Sequence, residues 1–157
     1  MELVTTYELD APVTYVFGRI TDHADFEALL MGYGANIERL DEQTTLGAGM
    51  KWAIDGTFRG KQRAVEVELT DLQPNTLIRY RSESKDVNAD VAMDLETLAQ
   101  NRTRFSITLA PKANTISARL ILQSAKLARK TLQKRINGRF ADFCTRLEDD
   151  YRDISGA

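Results

Sequence analysis

Length, composition and charge place this chain among proteins that can build a hydrophobic core without cross-links. It has 157 residues, of which 43% are hydrophobic, and a chain of about 150 residues buries roughly 70% of the surface it exposes when unfolded. The 21 basic and 23 acidic residues nearly cancel, which argues against a nucleic-acid partner. The single cysteine, Cys144, excludes an intramolecular disulfide, and the single histidine, His23, excludes multi-histidine metal sites.

No targeting or membrane segment is visible in the sequence. The amino terminus lacks a basic stretch followed by an apolar run, and nowhere are there the roughly 20 consecutive apolar residues that cross a bilayer. The chain also lacks internal repeats, low-complexity stretches and recognisable linkers. We therefore expect one cytoplasmic domain over residues 1–157.

The first forty residues predict one strand and two short helices. Apolar and β-branched residues alternate with polar ones over residues 3–9, which indicates a strand. Pro12 then favours a helix over residues 13–20. Asp22 can cap a second short helix that ends at Gly32 to Gly34. The apolar residues of that second helix are Phe26, Leu29 and Leu30.

Residues 35–112 are strand-like throughout. Successive runs alternate between apolar and polar positions and are separated by short turns, such as those at Gln73–Asn75 and Gln100–Asn101. Short turns join antiparallel strands, whereas parallel strands need long crossovers. The pattern predicts an antiparallel meander.

The tail predicts one long amphipathic helix from about Thr115 to Arg152. Apolar or small residues recur every three or four positions and form a single stripe. Gly138 lies inside this segment, where a slight bend would be expected. The stripe consists of Ile121, Ala125, Ala128, Leu132, Ile136, Phe140, Phe143 and Leu147.

The stripe is bulky in its second half and small in its first half, at Ala125 and Ala128. Small residues that face a sheet leave space unless large sheet residues enter it, and protein interiors are normally packed densely. The taper therefore predicts a ligand cavity beneath the two alanines. The alternative is that large side chains fill the space, namely Trp52, Phe58, Tyr80, Met93 and Phe105.

The order of these elements resembles the START-like, helix-grip superfamily, which includes polyketide cyclase/dehydrase proteins, Bet v 1-type allergens and lipid-transfer domains. Three short motifs support the resemblance: Asp10-Ala11-Pro12-Val13, Leu46-Gly47-Ala48-Gly49-Met50 and Asn101-Arg102-Thr103-Arg104-Phe105. The resemblance implies an α+β fold in which a curved antiparallel sheet of about six or seven strands wraps around the long C-terminal helix, with two short helices after the first strand. It also implies an apolar cavity. Members bind lipids, polyketides, quinones, hormones or chaperone partners, and no catalytic signature is shared among them.

Strand register and helix position suggest which residues line the cavity. The sheet would contribute Trp52, Ile54, Val67, Tyr80, Met93 and Phe105, and the helix Ala125, Ala128 and Arg129. Arg63 continues the register of its strand and would enter the wider end of the cavity unless the strand twists outward. Arg129 could pair with a carboxylate, enolate or phosphate of a ligand, or extend into solvent.

Catalytic candidates are few: His23, Tyr80 and Arg129. His23 lies beside Asp22 and Asp25, whose charges would favour its protonated form, and it could act as a base or simply be a solvated residue of a capping segment. Cys144 is expected to be a small buried residue. Gly47-Ala48-Gly49 is interpreted as a turn into a strand, because a phosphate-binding loop would open a helix. No motif for a cofactor or a metal is found.

The sequence leaves three functions open. The first is binding of a small, mostly hydrophobic ligand, such as a lipid, quinone or polyketide-like molecule. The second is a polyketide cyclase or aromatase-type enzyme that uses the same cavity. The third is a stress or chaperone-associated interaction domain. A run of basic residues on the C-terminal helix is either a solvated face or a contact for an acidic protein or an anionic membrane surface. The oligomeric state is not fixed by any of these features.

Overall fold

The computed structural model describes residues 1–58 and 60–156, except for the side chain of Phe58, which lies outside the described part. Helices and strands follow in the order β1 (Leu3–Leu9), α1 (Val13–Ile20), α2 (His23–Gly32), β2 (Asn36–Arg39), β3 (Lys51–Phe58), β4 (Lys61–Gln73), β5 (Leu77–Ser84), β6 (Val87–Ala99), β7 (Arg102–Ala113), α3 (Ile116–Leu127) and α4 (Arg129–Ser155).

Within the described residues, the strands form a seven-stranded antiparallel sheet in the order β1-β7-β6-β5-β4-β3-β2. All neighbours from β2 to β7 are consecutive in the chain, so the predicted meander is confirmed. The first strand pairs with the last, and α1 and α2 connect it to the other edge of the sheet. The predicted α+β helix-grip fold is thereby confirmed.

Local sequence explains where the elements begin. The side chain of Asp22 accepts a hydrogen bond from the Asp25 amide at 3.1 Å and caps α2. At Gly49 the backbone is in the left-handed region, with φ of 101°, and the next residue but one begins β3. The glycine segment is therefore a turn into a strand, as the sequence predicted.

The C-terminal segment is divided into two helices at Ala128. This residue has φ of −99° and ψ of 21°, and its amide donates to the Ala125 carbonyl at 3.1 Å, three residues back. That tighter bond ends α3, and α4 then continues through Gly138. The expectation of one uninterrupted helix is corrected here, because neither proline nor glycine marks the break.

The core lies where α1 and α4 cover the β1–β7 end of the sheet. Phe105 of β7 meets Phe140 of α4 with ring centroids 4.9 Å apart, and both are buried. Glu148 of α4, only 7% exposed, accepts hydrogen bonds from the Asp10 amide at 2.7 Å and the Tyr7 hydroxyl at 3.0 Å. The apolar contacts and this carboxylate together fix α4 to the first strand.

Nothing in the described ranges 1–58 and 60–156 forms a helix long and apolar enough to cross a bilayer.

Candidate functional site

A cavity of about 280 Å³ lies between α2 and the part of the sheet that runs from β2 to β6. Its walls are almost wholly apolar. The helical side contributes Ile20, His23, Phe26, Glu27 and Leu30, and the sheet side contributes Ile37, Trp52, Ile54, Val67, Tyr80, Ser82, Val91 and Met93.

The volume limits what the cavity can hold. It is roughly twice the ~150 Å³ of an apolar protein cavity that accommodates one benzene ring. A ligand of about two fused rings, or a short branched chain of similar bulk, fits this space. Larger molecules would have to displace α2.

The sheet register places the lining residues on one face. Tyr80 pairs with Leu69 on one side and Val91 on the other, and every second residue of a strand faces the same way. Ser82 and Met93 therefore join Tyr80 on the covered face. His23 enters from above as the first residue of α2.

His23 and Tyr80 form the principal polar pair of the cavity. The imidazole Nε2 and the phenol Oη are 2.7 Å apart and share a hydrogen bond. An imidazole and a phenol carry two such protons between them, and their mutual bond uses one. When Nε2 carries the imidazole proton and donates to Oη, the phenol proton is free to donate to a ligand acceptor.

Burial keeps both groups uncharged near neutral pH. It is the main reason why the pKa of His23 lies below its ordinary value, and the positive charge of Arg39 lowers it further, against the opposing effect of Glu27 and Asp22. Burial also raises the pKa of Tyr80 to about 12. The expectation that neighbouring carboxylates would favour the protonated imidazole is corrected, because loss of hydration outweighs them.

Trp52 holds the surrounding polar groups in place. Its indole N–H donates to the Glu27 carboxylate at 2.8 Å, which links β3 to α2. The His23 ring lies 4.8 Å from the indole, centroid to centroid, and the Arg39 guanidinium lies 5.3 Å from the same ring system. Asp41 binds that guanidinium through both of its oxygens, so the cation next to the cavity is fixed.

Five of the residues expected to line a cavity from the sheet side do so, and one of the catalytic candidates joins them. The sheet residues are Trp52, Ile54, Val67, Tyr80 and Met93, and the catalytic candidate is His23. Their role in binding stays a prediction, but the structure brings their side chains around one space.

The residues expected from the C-terminal helix lie elsewhere. Ala125 and Ala128 do not border the cavity, and Ala128 is exposed. Arg129 is also exposed and donates to the Glu2 carbonyl at 3.1 Å. The helix break at Ala128 and the position of α2 explain the difference, because α2 rather than α3 covers the open part of the sheet. The space predicted beneath the two alanines is thus found beneath α2.

Two strand residues also lie outside the cavity. Phe105 is 1% exposed and belongs to the core, where Phe140 packs on its ring. Arg63 does share the face of Val67, yet it lies near the start of β4, opposite Gly56, and its side chain is exposed. Register alone placed it on the correct face but could not show that the cavity ends before it.

Sequence reasoning missed several lining residues, and two kinds of signal could have found them. Ser82 and Val91 have the same strand parity as the predicted Tyr80 and Met93. Phe26 and Leu30 are spaced four apart on α2, which marks an apolar helix face. Ile20, Glu27 and Ile37 carried no comparable signal.

Other candidate chemistry is not supported by the geometry. Burial raises the pKa of the Cys144 thiol to about 12, which is the opposite of an activated nucleophile. Across the described part of the chain, no three His, Cys, Asp or Glu side chains come close enough to hold a metal ion.

Comparisons with known proteins bear on the fold. No protein-family model matches the chain, and no curated protein matches it. Among solved structures, a protein from Thermus thermophilus is 15% identical, with a TM-score of 0.66, covering 94% of this chain and 97% of its own. The Zhui aromatase/cyclase from a Streptomyces species is 16% identical, with a TM-score of 0.62 and coverages of 88% and 92%. A START superfamily protein from Mycobacterium smegmatis is 13% identical, with a TM-score of 0.55 and coverages of 87% and 97%.

Proposed function

The fold that these structures share with the chain is the helix-grip fold of the START superfamily, as the sequence predicted. We propose that this chain binds a small, mostly apolar molecule carrying one hydrogen-bond acceptor, in the cavity beneath α2. The observation that carries the proposal is an apolar space of about 280 Å³ with a single hydrogen-bonded His23–Tyr80 pair in its wall.

Apolar burial supplies the affinity in this proposal. Removing apolar surface from water stabilises a complex by about 25 cal/mol per Å², before the costs of association are subtracted. Nearly all of the cavity wall consists of aliphatic and aromatic side chains. A charged ligand group would be poorly accommodated there, since burying an unpaired charge is costly.

The polar pair supplies orientation. A neutral imidazole beside a protonated phenol offers one free proton to an acceptor such as a carbonyl, hydroxyl or ether oxygen. Of the ligand classes predicted from the sequence, quinones and polyketide-like ring systems combine such an oxygen with about the right bulk. A long unbranched lipid chain fits the volume less well.

The proposal can be tested by native mass spectrometry of protein purified from cells, followed by melting curves with a panel of quinones, naphthols and fatty acids. We expect a bound mass or a rise in melting temperature, because a ligand that binds only the folded state stabilises it. The variant Val67→Phe, which places a phenyl ring in the cavity, should abolish both effects.

Val4→Phe is the matched control for this experiment. Val4 is 47% exposed and outside the cavity, so the same substitution there should leave ligand binding intact. An empty wild-type protein that no panel member stabilises would contradict the proposal. Equal binding by the Val67→Phe protein would place the ligand elsewhere.

A second candidate function, cyclisation of a polyketide-like chain, is favoured by the pairing of a neutral base with a protonated acid in one cavity. The His23 imidazole would take a proton from a carbon between two carbonyls, and the resulting enolate carbon would attack a further ketone. The Tyr80 hydroxyl would protonate the alkoxide so formed, and the proton on His23 would then return to Tyr80. Arg129 takes no part, because it lies outside the cavity.

This candidate is tested with a linear poly-β-ketone and chromatographic detection of the ring product. His23→Ala and Tyr80→Phe should each reduce turnover about a hundredfold or more, the typical contribution of a general acid or base. Val4→Phe should be unaffected. Ring formation that persists unchanged in both site variants would exclude the mechanism and leave ligand binding alone.

A further inference from the structure

Helix α3 carries apolar side chains on the face that points away from the protein. Ala118 is its only buried residue. At about 100° per residue, Ile116, Leu120 and Leu127 fall within roughly 40° of one another, on the side opposite Ala118. They are 77%, 59% and 92% exposed. Such a stripe is unusual on a free surface, where large apolar residues are normally scattered.

The charges around this stripe have one sign. Between Glu96 and Asp142 the sequence contains no acidic residue. Arg119 and Lys126 flank the stripe on α3 itself, one helical side removed from it. The cations of α3, its approach and the first turns of α4 are all exposed: Lys112, Arg119, Lys126, Arg129, Lys130, Lys134, Arg135 and Arg139.

The first turns of α4 extend the cationic surface beyond α3. An open groove there is lined by Arg129, Lys130, Gln133, Lys134 and Asn137. Three of these residues are cations and the other two are amides that can donate hydrogen bonds. The groove therefore suits phosphate and carboxylate oxygens.

We propose that α3 docks on an anionic lipid surface, with Ile116, Leu120 and Leu127 entering the interface and the flanking cations meeting lipid headgroups. An in-plane helix of this kind needs an apolar side at the boundary of the acyl chains and basic residues beside it. Charge decides against a second copy of the chain. Symmetric pairing through this face would bring its cations against those of the partner.

The proposal is independent of the cavity, which lies under α2 and shares no lining residue with α3. The test is cosedimentation of the full chain with vesicles of phosphatidylcholine alone and of phosphatidylcholine mixed with phosphatidylserine, at low and high salt. We expect binding to the mixed vesicles only, weakened by salt. No binding to the mixed vesicles at low salt would overturn the proposal.

Variants separate the apolar and the electrostatic contributions. Leu127→Gln should reduce partitioning about tenfold, whereas Ile154→Gln, at a residue of α4 that is 73% exposed, should not change it. Glutamine and leucine have similar helix propensities, so α3 should persist. Partitioning that is equal in wild type and Leu127→Gln would refute insertion of the stripe.

The charge variant is Arg119→Gln with Lys126→Gln, and its control is Lys61→Gln with Lys85→Gln, which removes the same charge from exposed sites elsewhere. The first should lower partitioning about thirtyfold, which corresponds to about 1 kcal/mol per cation. Equal losses in both doubles would mean that net charge rather than this surface causes binding, and would overturn the proposal.

Two further controls exclude other occupants of the vesicle result. The cavity variant Val67→Phe should partition like wild type, since a loss would mean that lipid enters the cavity instead. Sedimentation of the chain without vesicles should show no association that Leu127→Gln abolishes. If it does, the face pairs copies of the chain and the lipid proposal is wrong.

Discussion

The hydroxyl of Tyr80 should contribute to binding only when the ligand has an acceptor for it. Tyr80→Phe keeps the aromatic ring and the shape of the cavity and removes one oxygen. That oxygen lies 2.7 Å from His23 Nε2. A hydrogen bond between neutral groups is worth about 0.5–1.5 kcal/mol, which corresponds to a loss of roughly 2–12-fold in affinity.

Two probes of similar shape isolate this contribution. Calorimetric titration with 1,4-naphthoquinone should show the weakened affinity in Tyr80→Phe, because its carbonyl oxygens can accept the phenol proton. Naphthalene has no acceptor, and its affinity should be the same in both proteins. The volume of about 280 Å³ suits either ring system.

The outcome also bears on His23. In the variant the imidazole loses its partner but can donate its own proton to the quinone, so the loss should stay near one hydrogen bond. The double variant His23→Ala with Tyr80→Phe should then lose more than the single one, and the cycle gives the coupling between the two side chains. Equal affinity of the quinone for wild type and Tyr80→Phe, or an equal loss for naphthalene, would refute the orienting role of the pair.

Three further predictions concern stability and reactivity. Because the pKa of His23 is lower in the folded state than its ordinary 6.5, the unfolded state binds more protons between those two values; the free energy of unfolding should fall as pH drops below about 6.5, and His23→Gln should remove that part of the slope in urea titrations at several pH values. Glu148→Ala should destabilise the protein by about 3 kcal/mol, because the Asp10 amide and the Tyr7 hydroxyl both lose a charged partner; a change below 1 kcal/mol in the urea-derived free energy would contradict this. Cys144, 0% exposed and with its pKa raised to about 12, should react with a thiol reagent only as fast as the protein opens, and rapid labelling of the native protein would show that the helix is not packed as described.

Much of the fold could be predicted from the sequence, because local patterns set it. Strand alternation placed β1 at residues 3–9, and Pro12 and Asp22 marked the starts of α1 and α2. The short turns required an antiparallel meander. These signals depend on neighbouring residues, which a single sequence contains in full.

The site could be predicted only in part. Parity identified Trp52, Val67 and Tyr80 on the correct face, since strand period is a local property. Which helix covers that face depends on packing between distant segments. The break at Ala128 has no local marker, and without it a single helix appeared to be the cover. Ala125, Ala128 and Arg129 were therefore assigned to a cavity that α2 closes instead.

The state of His23 was also beyond local reasoning. Its neighbours in sequence, Asp22 and Asp25, suggested a protonated ring. The structure buries the ring against Trp52 and Tyr80, and removal from water shifts its pKa in the other direction. The interaction-domain hypothesis and the cytoplasmic location stay predictions.

Trp52 allows the most direct measurement of ligand binding beneath α2. It is the single tryptophan of the chain and it lines the cavity, so its emission reports on that space alone. Titration with 1,4-naphthoquinone should quench Trp52 fluorescence along a saturable curve in wild type and in Val4→Phe, and the saturable part should disappear in Val67→Phe. Quenching that rises linearly without saturation, or that is identical in the Val67→Phe protein, would contradict binding in this cavity.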